Sequence, residues 1–206
     1  VNSYATYATG FKSVGLNLNG VPTDAQDRPV LSAATVKPED VHHFEAGIKT
    51  EPLRGVTANV TVFDTEIKDF QAQVVNAGVG VLRGYLANAE KVRVRGAEFD
   101  GNARVNRNLY LYLAGAYSDG VYVTFRDAPP PLEDTGGPQV KDISGSALPG
   151  ISRWAFSYGA EFSHPANLLS RAGEVFVGGD ASYRSSFSSS ASASRYLVVD
   201  GYSLVN

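Results

Sequence analysis

Large apolar side chains recur along this chain at every second residue, not every third or fourth. Between Arg153 and Phe162 one set of positions reads Trp154, Phe156, Tyr158, Ala160 and Phe162. The set between them reads Arg153, Ala155, Ser157, Gly159 and Glu161. Successive side chains of a strand point to opposite sides, so this stretch predicts a strand with one apolar and one wet face. Residues 56–62, 109–117 and 175–184 alternate in the same way. The pattern predicts seven or eight strands, over residues 2–16, 41–50, 56–73, 83–104, 109–125, 152–163, 173–184 and 195–206.

The connections alternate in length. Residues 50–55 and 105–109 read as tight turns, whereas 17–37, 126–148 and 185–194 are long and rich in Pro, Gly, Asp and Ser. Pro129, Pro130 and Pro131 cannot join a hydrogen-bonded ladder. Short turns at one end and long loops at the other are the layout of an up-and-down barrel in an outer membrane. The strand over 83–104 would run roughly 70 Å at ~3.3 Å per residue, well beyond the ~9–11 residues that cross a bilayer. Much of it is therefore expected to project as the wall of an external vestibule. It also changes phase. Up to Val94 the apolar residues are even-numbered, with Lys91, Arg93 and Arg95 between them; after Gly96 they are odd-numbered, with Glu98, Asp100 and Asn102 between them. A β-bulge near Gly96 would return these charges to one face and is expected there.

Composition narrows the class. The 206 residues carry 18 basic and 21 acidic side chains, a formal net charge of −3 that disfavours a nucleic-acid partner. Charged residues are 19% of the chain, below the roughly 25% of soluble domains, while Tyr (11), Phe (10) and Gly (21) are plentiful. Mean hydropathy is −0.13, and no apolar run approaches the ~18 residues of a spanning helix. The lack of Cys removes disulfides, thiolate metal sites and cysteine nucleophiles together. Met is also absent and the chain starts at Val1 without a secretory leader, so it reads as an excised piece. Aromatics gather toward predicted strand ends, as in Tyr4, Tyr7 and Phe11 or Tyr117, Tyr122 and Phe125, the placement of interfacial girdles.

Five segments carry a resemblance. They contain Gly10-Phe11-Lys12; Pro38-Glu39 followed by Phe44-Glu45-Ala46-Gly47-Ile48-Lys49; Asp69-Phe70; Asn88-Ala89 with Gly96-Ala97-Glu98; and Pro149 with Trp154. In this order and spacing the chain resembles consecutive late strands of TonB-dependent outer-membrane receptors, over nearly its whole length. The resemblance implies an all-β fold: an antiparallel up-and-down transmembrane segment of seven or eight strands from a barrel of about 22. The plug, the early strands and the closing strand would lie elsewhere. It also implies TonB-energised uptake of a scarce solute, commonly a ferric siderophore. The partners would be outer-membrane lipid, a small-molecule ligand, and the TonB complex acting through the plug.

On that reading Trp154, Phe156, Tyr158 and Phe162 face lipid, and Lys91, Arg93, Arg95, Glu98, Arg153 and Glu161 face the lumen. The Lys91–Arg95 stripe would line the lumen against acids of neighbouring strands or guide an anionic ligand. Asp64 and Glu66 share a face at the water-facing end of a strand. Ligand contacts are expected in the loops, at Asp24 and Arg28, at Arg83 and Tyr85, and at Arg126, Asp127, Glu133 and Asp134. His42 and His43 point to opposite faces and cannot share a metal, and His164 with Pro165 reads as a turn. Gly78, Gly80 and Gly84 match no dinucleotide fingerprint, and no catalytic constellation stands out. A non-enzyme without cofactor or metal is expected. Two other readings stay open: a complete eight-stranded membrane barrel, and a soluble carbohydrate-binding sandwich with two packed apolar faces.

Overall fold

The structure, a computed structural model, describes all residues except 19, 25, 27, 79–80, 135 and 169–170, and their side chains except those of 76–78, 81–83 and 168. The chain is built of strands: β1 (Asn2–Lys12), β2 (Gly15–Leu16), β3 (Thr35–Val36), β4 (Glu39–Leu53), β5 (Val56–Gly78), β6 (Val81–Arg104), β7 (Leu109–Thr124), β8 (Trp154–Leu168), β9 (Arg171–Arg184), β10 (Phe187–Ser188), β11 (Val198–Val199) and β12 (Tyr202–Val205). Short 3-10 turns occupy Leu31–Ala34 and Leu132–Asp134. One antiparallel sheet runs in the order β1-β4-β5-β6-β7-β8-β9-β12, so long strands pair with their neighbours in sequence. Among the described residues no pairing returns from β12 to β1, and an eight-strand ring is not closed.

Most strand boundaries differ from the sequence pattern by a few residues, and three places show how. The strand expected over 2–16 stops pairing at Lys12↔Glu39, because the next residue of the partner chain is Pro38, which has no N–H. The strand expected over 195–206 divides into β11, held in a loop ribbon with β10, and β12 on the main sheet. His164 and Pro165 lie inside β8, where Pro165 pairs with Glu174. β7 has already ended opposite Phe162, so the missing proline N–H faces no ladder.

The connections segregate by length. At one end Arg54 and Gly55 turn β4 into β5, with Gly55 at φ 79. Between β6 and β7 the Asn106 side-chain oxygen accepts from the N–H groups of Asn108 and Leu109, at 2.8 and 2.9 Å. The other end carries the connections over 13–38, 125–153 and 185–201, together with the long arms of β5 and β6.

Directly paired residues share a face. Trp154 pairs with Tyr117, which continues through Ala97 to Val62; the next row holds Phe156, Gly115, Phe99 and Val60. Among the described residues no second protein layer covers this face: Trp154 is 44% exposed, Tyr158 51% and Val60 54%. The opposite face carries Asn59, Thr61, Glu98, Asp100, Tyr112 and Glu161.

The bulge expected near Gly96 is not there. The β5–β6 ladder runs unshifted from Val56↔Ala103 through Phe63↔Gly96 to Lys68↔Lys91. A side chain at Gly96 would collide with the Tyr117 carbonyl and the Phe63 ring, so glycine is needed there for close approach. Lys91, Arg93 and Arg95 therefore stand on the face of Ala97, Phe99 and Trp154, opposite Glu98. The six residues expected to share the lumen side are divided between the two faces. The reason is packing: Val92 and Val94 join an apolar cluster with Tyr122, Phe125, Ile143 and Leu148, from β7 and the 125–153 connection. Where loops fold back over the sheet, the polar face becomes the apolar one.

The phase is corrected further along. Asp69, at φ 51, interrupts the ladder between Lys68↔Lys91 and Phe70↔Ala89. On the β7 side pairing slips from Val92↔Tyr122 to Lys91↔Thr124, leaving Val123 without a partner on β6. Beyond this point Ala72, Val74 and Ala89 join the same cluster as Val92 and Val94, so the loop-covered side stays apolar.

Val92 is fully buried, and so is Tyr122, whose hydroxyl has no hydrogen-bond partner among the described residues. In the complete receptor Val92→Ala should lower stability by about 2 kcal/mol through lost burial and the cavity left behind. Tyr122→Phe should be neutral or stabilising by up to about 1 kcal/mol, since it removes an unpaired buried hydroxyl. Thermal unfolding in detergent checks both; a loss on Tyr122→Phe as large as that of Val92→Ala would contradict this packing.

Candidate functional site

At the long-loop end the first connection is fastened to the sheet by amide side chains. Asn17 donates to the Leu86 carbonyl at 2.9 Å and accepts from the Leu86 N–H at 2.7 Å, mimicking a strand neighbour. Asn88 accepts from the Lys37 N–H at 2.8 Å and donates to the carbonyls of Lys37 and Asp69. Gln71 donates to the Ser13 and Lys37 carbonyls, while its N–H donates to the buried carboxylate of Glu39 at 2.9 Å. An amide carries both a donor and an acceptor, so one residue can satisfy two backbone groups at once.

This stitching leaves a cavity of about 930 Å³ between the first connection, the upper part of β6 and the 125–153 connection. Small-molecule sites are usually about 300–1,000 Å³. Asp24, Tyr85, Asp127 and Asp134, all expected as ligand contacts, line it. So do Lys37, Asn88 and Gln139, which sequence reasoning passed over. Asn88 was visible as part of a motif, but nothing in the sequence placed it beside Lys37. Three of the charges in the cavity are tied down: Asp24 to Arg28 at 2.9 Å, Asp134 to Lys141 at 2.6 Å and Lys37 to Asp69 at 3.2 Å. Hydrogen bonds from the Arg28 backbone and side chain and from the Gln26 N–H outweigh desolvation and hold the Asp24 carboxyl below its ordinary range. Such a lining can meet a polar small molecule with oxygens, amides and hydroxyls.

Arg28, Arg126 and Glu133 lie outside the lining. Arg28 serves Asp24. The Arg126 N–H donates to the Glu90 carboxylate at 3.4 Å. Glu133 turns to the last long connection, accepting from the Ser194 hydroxyl at 2.7 Å and the Arg195 N–H at 3.0 Å. The Arg83 side chain lies outside the described residues.

The Lys91–Arg95 stripe serves neither the cavity nor the polar face. Lys91 pairs with Glu66 at 2.6 Å, Arg93 with Asp64, and Arg95 with Asp119 at 3.2 Å. Arg153, in the bend before β8, reaches the same Asp119 at 3.5 Å. The carboxylates and the basic stripe noted separately in the sequence are partners of one another. His42 and His43 separate to the two faces, His42 bonding to Tyr7 and His43 to Thr65.

A family model described as TonB dependent receptor-like, β-barrel, matches residues 1–206. The chain belongs to the TonB-dependent receptor β-barrel family. It is similar in fold to the ferric yersiniabactin uptake receptor FyuA of Yersinia pestis, at 18% identity and a TM-score of 0.66 over 98% of this chain. The siderophore receptor PiuA of Acinetobacter baumannii gives 18% and 0.65, and the copper transporter OprC 13% and 0.69, each again over 98% of this chain. The chain spans about a quarter of these proteins, 26% of FyuA and PiuA and 27% of OprC. No curated protein matches it. The resembling motifs have structural work in this TonB-dependent receptor barrel: Asn88 fastens the first connection, Glu39 accepts from the Gln71 N–H, Ala89 packs in the loop core, and Gly47 lies under the Tyr4 ring.

Burial opposes the ionisation of Glu133, but the Ser194 and backbone hydrogen bonds prevail and lower its pKa. A lowered pKa contributes stability above the ordinary value of ~4.3 and loses it as pH falls through the lower folded value. At neutral pH Glu133→Gln should therefore speed amide exchange over residues 194–197 several-fold. The wild type should reach that rate only under acid, after correction for intrinsic exchange. Equal rates at neutral pH would show that the bridge between the two loops contributes nothing.

Proposed function

We infer that this chain forms wall and outer loops of an outer-membrane receptor that imports a scarce solute with energy from the TonB complex. A ferric siderophore or similar iron complex is the substrate class supported best by the family and by the similarity to FyuA, a ferric yersiniabactin uptake receptor, and PiuA, a siderophore receptor. The apolar face meets lipid through Trp154, Phe156, Tyr158 and Phe162, and the polar face with Glu98 and Glu161 meets the water-filled lumen. The cavity between the loops contributes Asp24, Tyr85, Asp127 and Asp134 to the ligand site. The plug, outside this segment, is where TonB would act.

The observation that carries this reading is the reversal of polarity along β6. Below Gly96 the exposed face is apolar and the other face polar; above it the exposed face carries paired charges and the other packs under loops. A strand leaving hydrocarbon for water, with loops folded inside the ring, requires that reversal. The cavity lies beyond it, at the end where solute arrives.

Cells producing the complete receptor should accumulate radioactive iron supplied as ferric siderophores, and collapse of the inner-membrane proton gradient should abolish it. Tyr85→Ala with Asp127→Ala should reduce accumulation several-fold without lowering receptor in the membrane. Failure to take up any ferric siderophore, with the receptor folded, would redirect the substrate class. Independently, brominated lipid should quench the fluorescence difference between wild type and Trp154→Phe; an unquenched difference would remove the lipid-facing assignment.

A further inference from the structure

The cavity between the loops is poor in charged donors. Among the described residues its lining holds three carboxylates, Asp24, Asp127 and Asp134, and one cation, Lys37. Lys37 is committed twice: its N–H donates to the Asn88 side chain at 2.8 Å and its ammonium to Asp69 at 3.2 Å. The Asn88 amide donates in turn to the Lys37 and Asp69 carbonyls. Pro22, Pro130, Pro131 and Pro138 also line the cavity, and a proline has no N–H to offer. The side chains left to donate to a solute are neutral: the hydroxyls of Thr23, Ser32, Thr35 and Tyr85, and the Gln139 amide.

The three carboxylates are not alike. Asp24 accepts from the Gln26 and Arg28 N–H groups and from the Arg28 guanidinium, and Asp134 is held by Lys141 at 2.6 Å. Asp127 has no hydrogen bond or ion pair among the described residues. Its neighbour Arg126 lies outside the lining, where its charge acts on the Asp142 carboxyl. One uncompensated negative charge therefore lines a cavity of about 930 Å³ whose cation is already paired.

We propose that the cavity selects its solute by charge: it takes an iron chelate that carries an ammonium group, which Asp127 binds, and rejects triply anionic tris-catecholate complexes. Hydrogen bonds between an ammonium and a carboxylate are roughly twice as strong as neutral ones. A polyanion in the same place meets no unpaired cation among the described residues and brings like charge beside Asp127, a juxtaposition that suppresses wrong partners. The inference rests on the reading that this receptor imports ferric siderophores through this cavity, and adds to it the sign of the charge.

The test uses the complete receptor in detergent and two probes that differ at one nitrogen. Ferrioxamine B carries a pendant amine, protonated at neutral pH; its N-acetylated form has the same iron coordination and no charge. Calorimetric titration should show wild type binding ferrioxamine B several-fold more tightly than the acetylated form. Asp127→Asn should remove that difference and leave the affinity for the acetylated form unchanged. Asp200→Asn, which deletes an equal charge from another loop, should preserve the difference. Ferric enterobactin, with three negative charges, should bind most weakly of the three. Equal affinity of wild type for the two ferrioxamines would overturn the proposal. So would a preference that survives in Asp127→Asn, one that falls equally in Asp200→Asn, or tighter binding of ferric enterobactin than of ferrioxamine B. Each of these results leaves a receptor that binds an iron chelate, so the uptake reading stands. A folded receptor that binds none of the three overturns the charge selection and removes the support for that reading as well.

Discussion

A strand can offer each of its two sides only every second residue, and on the function proposed above the same strand passes from one surrounding to another. Inside a bilayer the outer side must be apolar and the ladder complete, because hydrocarbon supplies no hydrogen bonds. Beyond the bilayer the outer side meets water. In β6 the change occurs at Gly96, with Ala97 and Phe99 on one side of it and Arg95, Arg93 and Lys91 on the other, all on one face of an unshifted ladder. The opposite face changes in the complementary sense, from Glu98 and Asp100 to Val94 and Val92. Everything else in the segment follows from this exchange.

Its first consequence is a second apolar core, placed under the loops and not between sheets. Val74, Val92, Tyr122 and Phe125 are almost wholly withdrawn from solvent, and the 125–153 connection closes over them. Full burial of such side chains is worth ~1.5–3 kcal/mol each, enough to hold a long connection in one place. Its second consequence is the set of amide clasps at Asn17, Gln71 and Asn88, which fix the first connection across β6. Loops held on both sides leave a defined cavity between them.

The strands and their faces were legible because alternation is local: Trp154, Phe156 and Tyr158 needed no partner to reveal their common side. The segregation of short turns from long connections was equally readable. What the sequence could not separate were two explanations of one signal. A phase change at Gly96 fits a bulge in a constant medium or an unbroken strand in a changing one, and only the register excludes the bulge. The same ambiguity placed Lys91, Arg93 and Arg95 with Glu98. Four of the residues expected as ligand contacts, Asp24, Tyr85, Asp127 and Asp134, converge on the cavity. Glu133 and Arg28 stand outside the cavity lining because their partners, Ser194, Arg195 and Asp24, depend on how loops fold back.

Spin labels placed singly from Val92 to Asp100 in the complete receptor, read in bilayers with oxygen and a water-soluble nickel chelate, test the exchange most directly. Oxygen should dominate at 97 and 99, and the chelate at 98 and 100. Above Gly96 the chelate should reach 93 and 95, while 92 and 94 should be shielded from both. An alternation that keeps one phase throughout, with 93 and 95 sharing the environment of 98 and 100, would contradict the account.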